Sequence, residues 1–290
     1  SEFPPVTTQQ WEEAIKVDLK GADYNKKLIW KTLDGFDVKP YYREEDLKTL
    51  EYLNGNPDEK PFVRGYNTKD NSWDIRQDID QADINIANKI ALEGIKRGVN
   101  SVAFNASEVK TAQNIKDLLN GIDLNKIKIN FYRSSSYLDL LKLYIAEIKR
   151  QRIVDAKQVQ GSFNYDPFFY ALKHGHFYKT IKSNLDEAEV VIRVAEKELP
   201  MFDILTVNGK AFNNSGASIV QELAYTLSAA TEYMSELTNR GLTPDEIGQR
   251  MVFSYATGSN YFMEIAKIRA TRLLWSKIIE QYEFSTSKAA

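Results

Sequence analysis

From about residue 99 onward the sequence alternates short β-rich runs with long amphipathic stretches, and no other feature constrains the fold as strongly. "VNSVAFN" (99–105), "IKINFY" (127–132), "KQVQGSFN" (157–164), "FDILTVNG" (202–209) and "RMVFSYATG" (250–258) read as five strands. A helical segment comes after each. After the second strand Leu138, Leu141, Ile145 and Ile148 recur at helical spacing. After the fourth, Ile219, Leu223, Leu227, Ala230, Met234 and Leu237 stripe one face, and "NYFMEIAKIRATRLLWSKIIEQYE" (260–283) comes after the fifth. Strands that each run into a helix pair in parallel through right-handed crossovers. Two architectures satisfy this, an open doubly wound sheet and a (β/α)8 barrel. Neither a Gly-rich dinucleotide fingerprint nor a phosphate-loop signature is present, which weighs against the first. A barrel needs eight strands, and five are legible.

Local signals set the boundaries. A helix over roughly 80–97 stops at Gly98, with Lys96 and Arg97 suiting its negative end. Asn105 with Glu108 reads as the capping pair of the next helix, and Thr243-Pro244-Asp245-Glu246 as a capping box with Pro at the first helical position. Ahead of the alternation, "TTQQWEEAIKVDLKGAD" (7–23) predicts a helix capped by Thr8, with Trp11, Ile15 and Leu19 on one face and Gly21 as its stop. Asp34-Gly35 between two β-rich runs predicts a hairpin. The turn-rich "NGNPDEKP" (54–61) separates an N-terminal arm, residues 1–60, from a main body, residues 61–290.

Composition excludes several classes. At 43% hydrophobic and 27% charged, the 290 residues are ordinary globular material. A net charge of −2 offers no footprint for nucleic acid. Without cysteine there is no disulfide, thiolate metal site or cysteine nucleophile. No apolar run approaches the ~20 residues that span a bilayer, and no leader pattern is visible, so the expectation is no membrane partner and a cytoplasmic location.

The candidate chemistry is sparse. The strand–loop–helix stretch "ILTVNGKAFNNSGAS" (204–218) is where a barrel enzyme would place reactive groups. It offers Asn208, Lys210, Asn213, Asn214 and Ser215, with no acid, base or nucleophile in an obvious pair. His174 and His176 read as a helix C-terminus capped by Gly175, with no third ligand for zinc. The Ser/Thr-rich "SEVKTAQ", "RSSSYLD" and "YATGSNY" suit either ordinary caps or phosphate on backbone N–H groups. Arg76 and Gln77 in "SWDIRQDID" suit a structural ion pair. Arg269 and Arg272, just after Glu264 and Lys267, suit a solvated helix face or an acidic partner.

A resemblance sharpens this reading. "GASIVQELAYTLSAATEYMSELTNRGL" and "FSYATGSNYFMEIAKIRATRLLW" resemble the matching stretches of the adenosylcobalamin-dependent methylmalonyl-CoA mutases. "SWDIRQD", "SVAF" and "GSFNYDPFFYALKHGHFY" are similar to earlier motifs of that family, so the likeness runs from about 60 to 282. "WEEAIKVDLKGADYNKKLIWKTLDG" resembles the opening of the family's small subunits.

The resemblance implies an α/β fold, a partial (β/α)8 TIM barrel holding about the first five βα units behind an N-terminal helix and hairpin arm. It further implies that the family's separate cobalamin-binding domain is absent, since neither histidine fits its Asp-x-His-x-x-Gly motif. The family's acyl-covering Tyr falls on Asp78, its Gln on Asn164, its carboxylate-clamping Arg on His174, and its thioester-bonding His on Ala211. One Arg near the CoA chain persists as Arg250, beside Val252 in place of Ser. The same resemblance implies a non-catalytic small subunit that binds neither metal nor cofactor. It would pair as a heterodimer with a large subunit that carries adenosylcobalamin and interconverts methylmalonyl-CoA and succinyl-CoA. Two alternatives stay open: a CoA-binding module with a degenerate pocket, and an active mutase rebuilt around Asp78, His174 and Lys210 for another acyl-CoA.

Overall fold

The computed structural model describes residues 4–153 and 155–282, and the chain divides into two compact units after Asn54. The first unit holds helices α1 (Thr8–Asp18) and α2 (Tyr24–Leu28), then the strands β1 (Trp30–Lys31) and β2 (Asp37–Val38). Two 3-10 turns complete it, Glu44–Leu47 and Glu51–Asn54. The expected hairpin is present: β1 and β2 pair antiparallel, and Gly35 takes φ +85° at the turn. The cap of α1 is Thr7, not Thr8; its side chain and that of Gln10 form the reciprocal capping box. Trp11 meets Tyr41 edge-on at 5.9 Å. None of the described residues of this unit is buried, and Leu33 is 97% exposed.

The second unit is a parallel sheet of six strands in sequential order. They are β3 (Arg76–Ile79), β4 (Ser101–Asn105), β5 (Lys128–Tyr132), β6 (Gly161–Tyr165), β7 (Phe202–Asn208) and β8 (Met251–Ser254). The intervening helices are α3 (Ile84–Lys96), α4 (Ala112–Leu118), α5 (Tyr137–Arg150), α6 (Pro167–His174), α7 (Ile181–Glu198), α8 (Lys210–Asn214), α9 (Ile219–Thr238), α10 (Pro244–Gly248) and α11 (Tyr261–Glu280). This is a partial TIM-barrel arrangement, and β3 and β8 do not pair to close it.

Six strands replace the five expected. The additional one, β3, lies inside "SWDIRQDID", whose Arg, Gln and Asp carry no β-branched signal; only Ile79 of its residues is buried. The third expected strand begins at Gly161, and residues 156–158 form a 3-10 turn instead. Asn105 does not cap α4. Thr111 does, in a reciprocal box with Asn114, while Asn105 ends β4 and donates to Asp80 at 3.0 Å. The capping box at Thr243 and the Gly175 cap of α6 form as expected. The predicted last helix ends at Glu280, and Glu283 lies outside the described residues.

Alternation divides the sheet into two chemically different faces. Val102, Phe104, Ile129, Phe131, Phe163, Leu205 and Val207 are buried against the helices. Their rings form a continuous layer: Phe131 lies 6.4 Å from Phe104, 6.0 Å from Phe163 and 5.2 Å from Tyr144 of α5. Fully burying each such ring is worth about 2–3 kcal/mol. The other face carries the intervening residues, which are mostly polar.

Gly161 starts β6 at φ +155°, where an added Cβ would stand 1.8 Å from the carbonyl oxygen of Ile129 and 2.7 Å from the Phe202 ring. Backbone cannot yield as a flexible side chain can. Gly161→Ala is therefore expected to cost at least about 3 kcal/mol, read by urea unfolding. A midpoint unchanged from the parent would contradict this close approach of β5 to β6.

Candidate functional site

The polar face of the sheet borders a cavity of about 950 Å³. Five of the six strands contribute residues two apart, Arg76 and Asp78, Lys128 and Asn130, Ser162 and Asn164, Thr206 and Asn208, Val252 and Ser254, and β4 contributes Ser101. The polar groups fall into three levels along the strands.

Charges dominate the level where the strands begin. Lys128 pairs with Asp74 at 2.6 Å and Arg76 with Asp78 at 2.8 Å. Arg250 donates to the carbonyl of Pro200 and faces Asp203. Burial pushes the Asp203 carboxyl up to about 7, against the opposing pull of Arg250 and Lys128. The middle level is a chain of hydrogen bonds across three strands. Asn130 Nδ2 donates to Ser101 Oγ at 2.9 Å and to the Val102 carbonyl at 3.1 Å, and Ser162 Oγ donates to Asn130 Oδ1 at 2.7 Å.

At the strand ends, Asp166 organises the loops. It caps α6, accepts the Tyr233 hydroxyl at 2.6 Å, and accepts the Asn208 backbone N–H at 2.9 Å. Burial raises its carboxyl above the usual range despite these bonds. Asn208 Nδ2 also donates to Asn164 Oδ1 at 2.9 Å. Lys210 reaches the cavity from the start of α8, with no hydrogen bond or ion pair among the described residues. Gly209 beside it admits no side chain, because a Cβ would meet Thr226 Oγ1 at 2.4 Å and the Tyr255 ring at 3.0 Å.

Of the site positions taken from the sequence, Asp78, Asn164, Arg250 and Val252 line this cavity, and Lys210 joins them. Ala211 and His174 do not. His174 is exposed at the end of α6, its ring 4.4 Å from Tyr170 and 6.3 Å from His176. Among the described residues no three His, Cys, Asp or Glu side chains could hold a metal ion.

Two of the three loops read as phosphate candidates, "RSSSYLD" and "YATGSNY", are occupied by the chain itself. Glu187 Oε1 accepts the backbone N–H groups of Tyr137 and Leu138 at 2.8 and 3.1 Å, filling the start of α5. In "YATGSNY", Glu222 accepts from Ala256 N at 2.8 Å and Glu264 from Gly258 N at 3.0 Å. Both carboxylates pair with Lys267, at 2.8 and 2.7 Å, and its third proton goes to the Ala256 carbonyl. Glu264 and Lys267 are thus buried and not on a solvated face; Arg269 is exposed, and the Arg272 guanidinium lies against Gly65.

Sequence reasoning missed Asp74, Lys128, Asn130, Ser162 and Asp203. For Lys128, Asn130 and Ser162 the signal was the alternation in "IKINF" and "GSFN", which marks the inward register once both faces are known to be buried.

Parallel strands with helices outside and a polar cavity on the inner face define the class as a (β/α)-barrel domain, here without closure. The methylmalonyl-CoA mutase family model matches residues 31–108 and 105–290. The chain is 39% identical over 99% of its length to the methylmalonyl-CoA mutase small subunit of Porphyromonas gingivalis, covering 47% of that protein. It is 30% identical over 94% of its length to a methylmalonyl-CoA mutase of Cereibacter sphaeroides, covering 42% of that protein. To the large subunit of Streptomyces virginiae it is 26% identical over 99%, covering 42%. The chain belongs to the methylmalonyl-CoA mutase family. It spans less than half the length of these relatives.

Asp203 has a measurable consequence. Its folded value of about 7 stands above its ordinary 3.8, so the folded state binds that proton more tightly. The resulting stability is fully present below pH 3.8 and is lost as pH rises through about 7. Asp203→Asn is expected to match the parent near pH 4 and to exceed it near pH 8 by roughly 4 kcal/mol in urea unfolding. Equal stability of the two at the higher pH would refute this assignment.

Proposed function

We propose that this chain is an N-terminal part of a non-catalytic small subunit of a heterodimeric methylmalonyl-CoA mutase. Its role is to pair with and support the large subunit, which carries adenosylcobalamin and interconverts methylmalonyl-CoA and succinyl-CoA in propanoate metabolism in the cytoplasm. Residues 1–60 act as a docking arm and residues 61–290 as the barrel part.

The observation that carries this reading is the state of the cavity. A CoA ester brings several negative charges and needs unpaired cations. Here Lys128 and Arg76 are already matched by Asp74 and Asp78, and Arg250 donates to the Pro200 carbonyl. Asp78 sets a negative charge where the resemblance expects a Tyr, and Ala211 supplies no donor to a thioester oxygen. Neither histidine sits in the family's Asp-x-His-x-x-Gly pattern, and both lie in an aromatic cluster around Tyr170.

The arm supports the pairing role. It exposes Trp11, Trp30, Phe36 and Tyr42, and no residue of it whose burial is described is buried. An apolar surface of this kind is stabilised by covering it against another protein. Among the described residues no helix is long and apolar enough to cross a membrane.

Light scattering behind a sizing column, with this chain mixed with the large subunit from the same source, is expected to give a one-to-one complex. The chain alone, supplied with adenosylcobalamin and methylmalonyl-CoA, is expected to give no turnover, and calorimetry with coenzyme A no saturable heat. Two separate peaks would overturn the pairing role. Saturable CoA binding would favour the CoA-binding module, and turnover the rebuilt mutase.

A further inference from the structure

Asn-Gly occurs three times in the chain, at Asn54-Gly55, Asn120-Gly121 and Asn208-Gly209. The pair is chemically labile. The glycine backbone nitrogen attacks Cγ of the asparagine side chain, and a new C–N bond closes a five-membered succinimide. The side-chain nitrogen leaves as ammonia, taking up the proton that the backbone nitrogen gives to solvent. Water then opens the ring at either carbonyl, to aspartate or to isoaspartate. Glycine favours the attack because no Cβ shields its nitrogen and its backbone turns freely. The asparagine must leave its folded conformation to be attacked, so in the folded chain the rate follows the cost of local opening.

The three pairs differ in that cost. Asn208 is 3% exposed. Its Nδ2 donates to Asn164 Oδ1, Asp166 Oδ2 and the Thr206 carbonyl, at 2.9, 3.0 and 3.2 Å. The attacking nitrogen of Gly209 is itself committed, donating to the Ser254 carbonyl at 2.8 Å. Asn120 is exposed but its backbone is held on both sides. Its N–H donates to the Asp117 carbonyl at 3.3 Å, and its carbonyl accepts Asn88 Nδ2 at 2.9 Å. The Ile122 N–H also closes the turn onto the Leu119 carbonyl at 3.2 Å. Asn54 is exposed and ends the single 3-10 turn Glu51–Asn54, where the Leu53 N–H reaches the Leu50 carbonyl only at 3.5 Å. Among the described residues neither the Asn54 side chain nor the Gly55 N–H makes a hydrogen bond.

We propose that Asn54 is a spontaneous modification site, deamidating through a succinimide with Gly55 while Asn120 and Asn208 are protected by the fold. The product places a new carboxylate, and in the isoaspartyl form an extra backbone methylene, at the residue where the first compact unit ends. The inference does not depend on subunit pairing.

The test is to hold the folded 290-residue chain in mildly alkaline buffer, digest samples over time and follow each Asn-Gly peptide by mass, a gain of about 1 Da marking conversion. Conversion at Asn54 is expected to be at least about tenfold faster than at Asn120 and at least about a hundredfold faster than at Asn208. Asn54→Gln, which would need a larger ring, and Gly55→Ala, which shields the attacking nitrogen, should each slow it at least about tenfold. In denaturing urea the three native pairs share the same following residue, and their rates should come within about threefold of one another. That comparison uses only the native chain and decides the matter if a variant does not fold. An intact Asn54 in the folded chain, equal rates at Asn54 and Asn120, or a preference for Asn54 that persists undiminished in urea would overturn the proposal.

Discussion

Everything in the second unit depends on the two-residue alternation of side chains along parallel strands. It sends Phe104, Phe131, Phe163 and Val207 outward against the helices, and Ser101, Asn130, Asn164 and Asn208 inward. The outer set makes the core. The inner set makes a polar cavity inside a protein interior, which is tolerable only because its members bond to one another. Ser101, Asn130 and Ser162 satisfy each other directly across three strands, so the sheet register and the polar network require the same pairing.

Charge pairing is the second organising fact. An interior cation without a partner is costly, and a binding site offsets that cost with its ligand. At the level where the strands begin, carboxylates of the same chain take the ligand's place. Asp203 shows the residual tension, being pushed up to about 7 by burial although two cations pull the other way. At the opposite level the balance differs, because Lys210 and Asn208 Oδ1 are left unmatched.

The loops at the strand ends are held from behind. Glu187 fills the start of α5, and Glu222, Glu264 and Lys267 lock the loop after β8. Buried ion networks add little net stability, but they specify one arrangement when every proton and lone pair is used, as around Lys267. These loops read from sequence as phosphate cradles because Ser, Thr and Gly signal an available backbone N–H. They carry no signal for a carboxylate arriving from 34 or more residues away.

The sequence by itself determined the βα alternation, the stripe on α9, the hairpin at Gly35 and the caps at Gly175 and Thr243, because each rests on spacing within a few residues. It also carried the family, through motifs that survive as strings. Only the tertiary structure decided that "RQDI" is a strand, since an edge strand with one buried residue is defined by its neighbour and not by its own composition. Only it showed that Lys128 and Asp74, 54 residues apart, neutralise each other, and that Lys267 is buried. Local propensity is a property of a short segment. Burial and charge compensation are properties of what the fold places across from it.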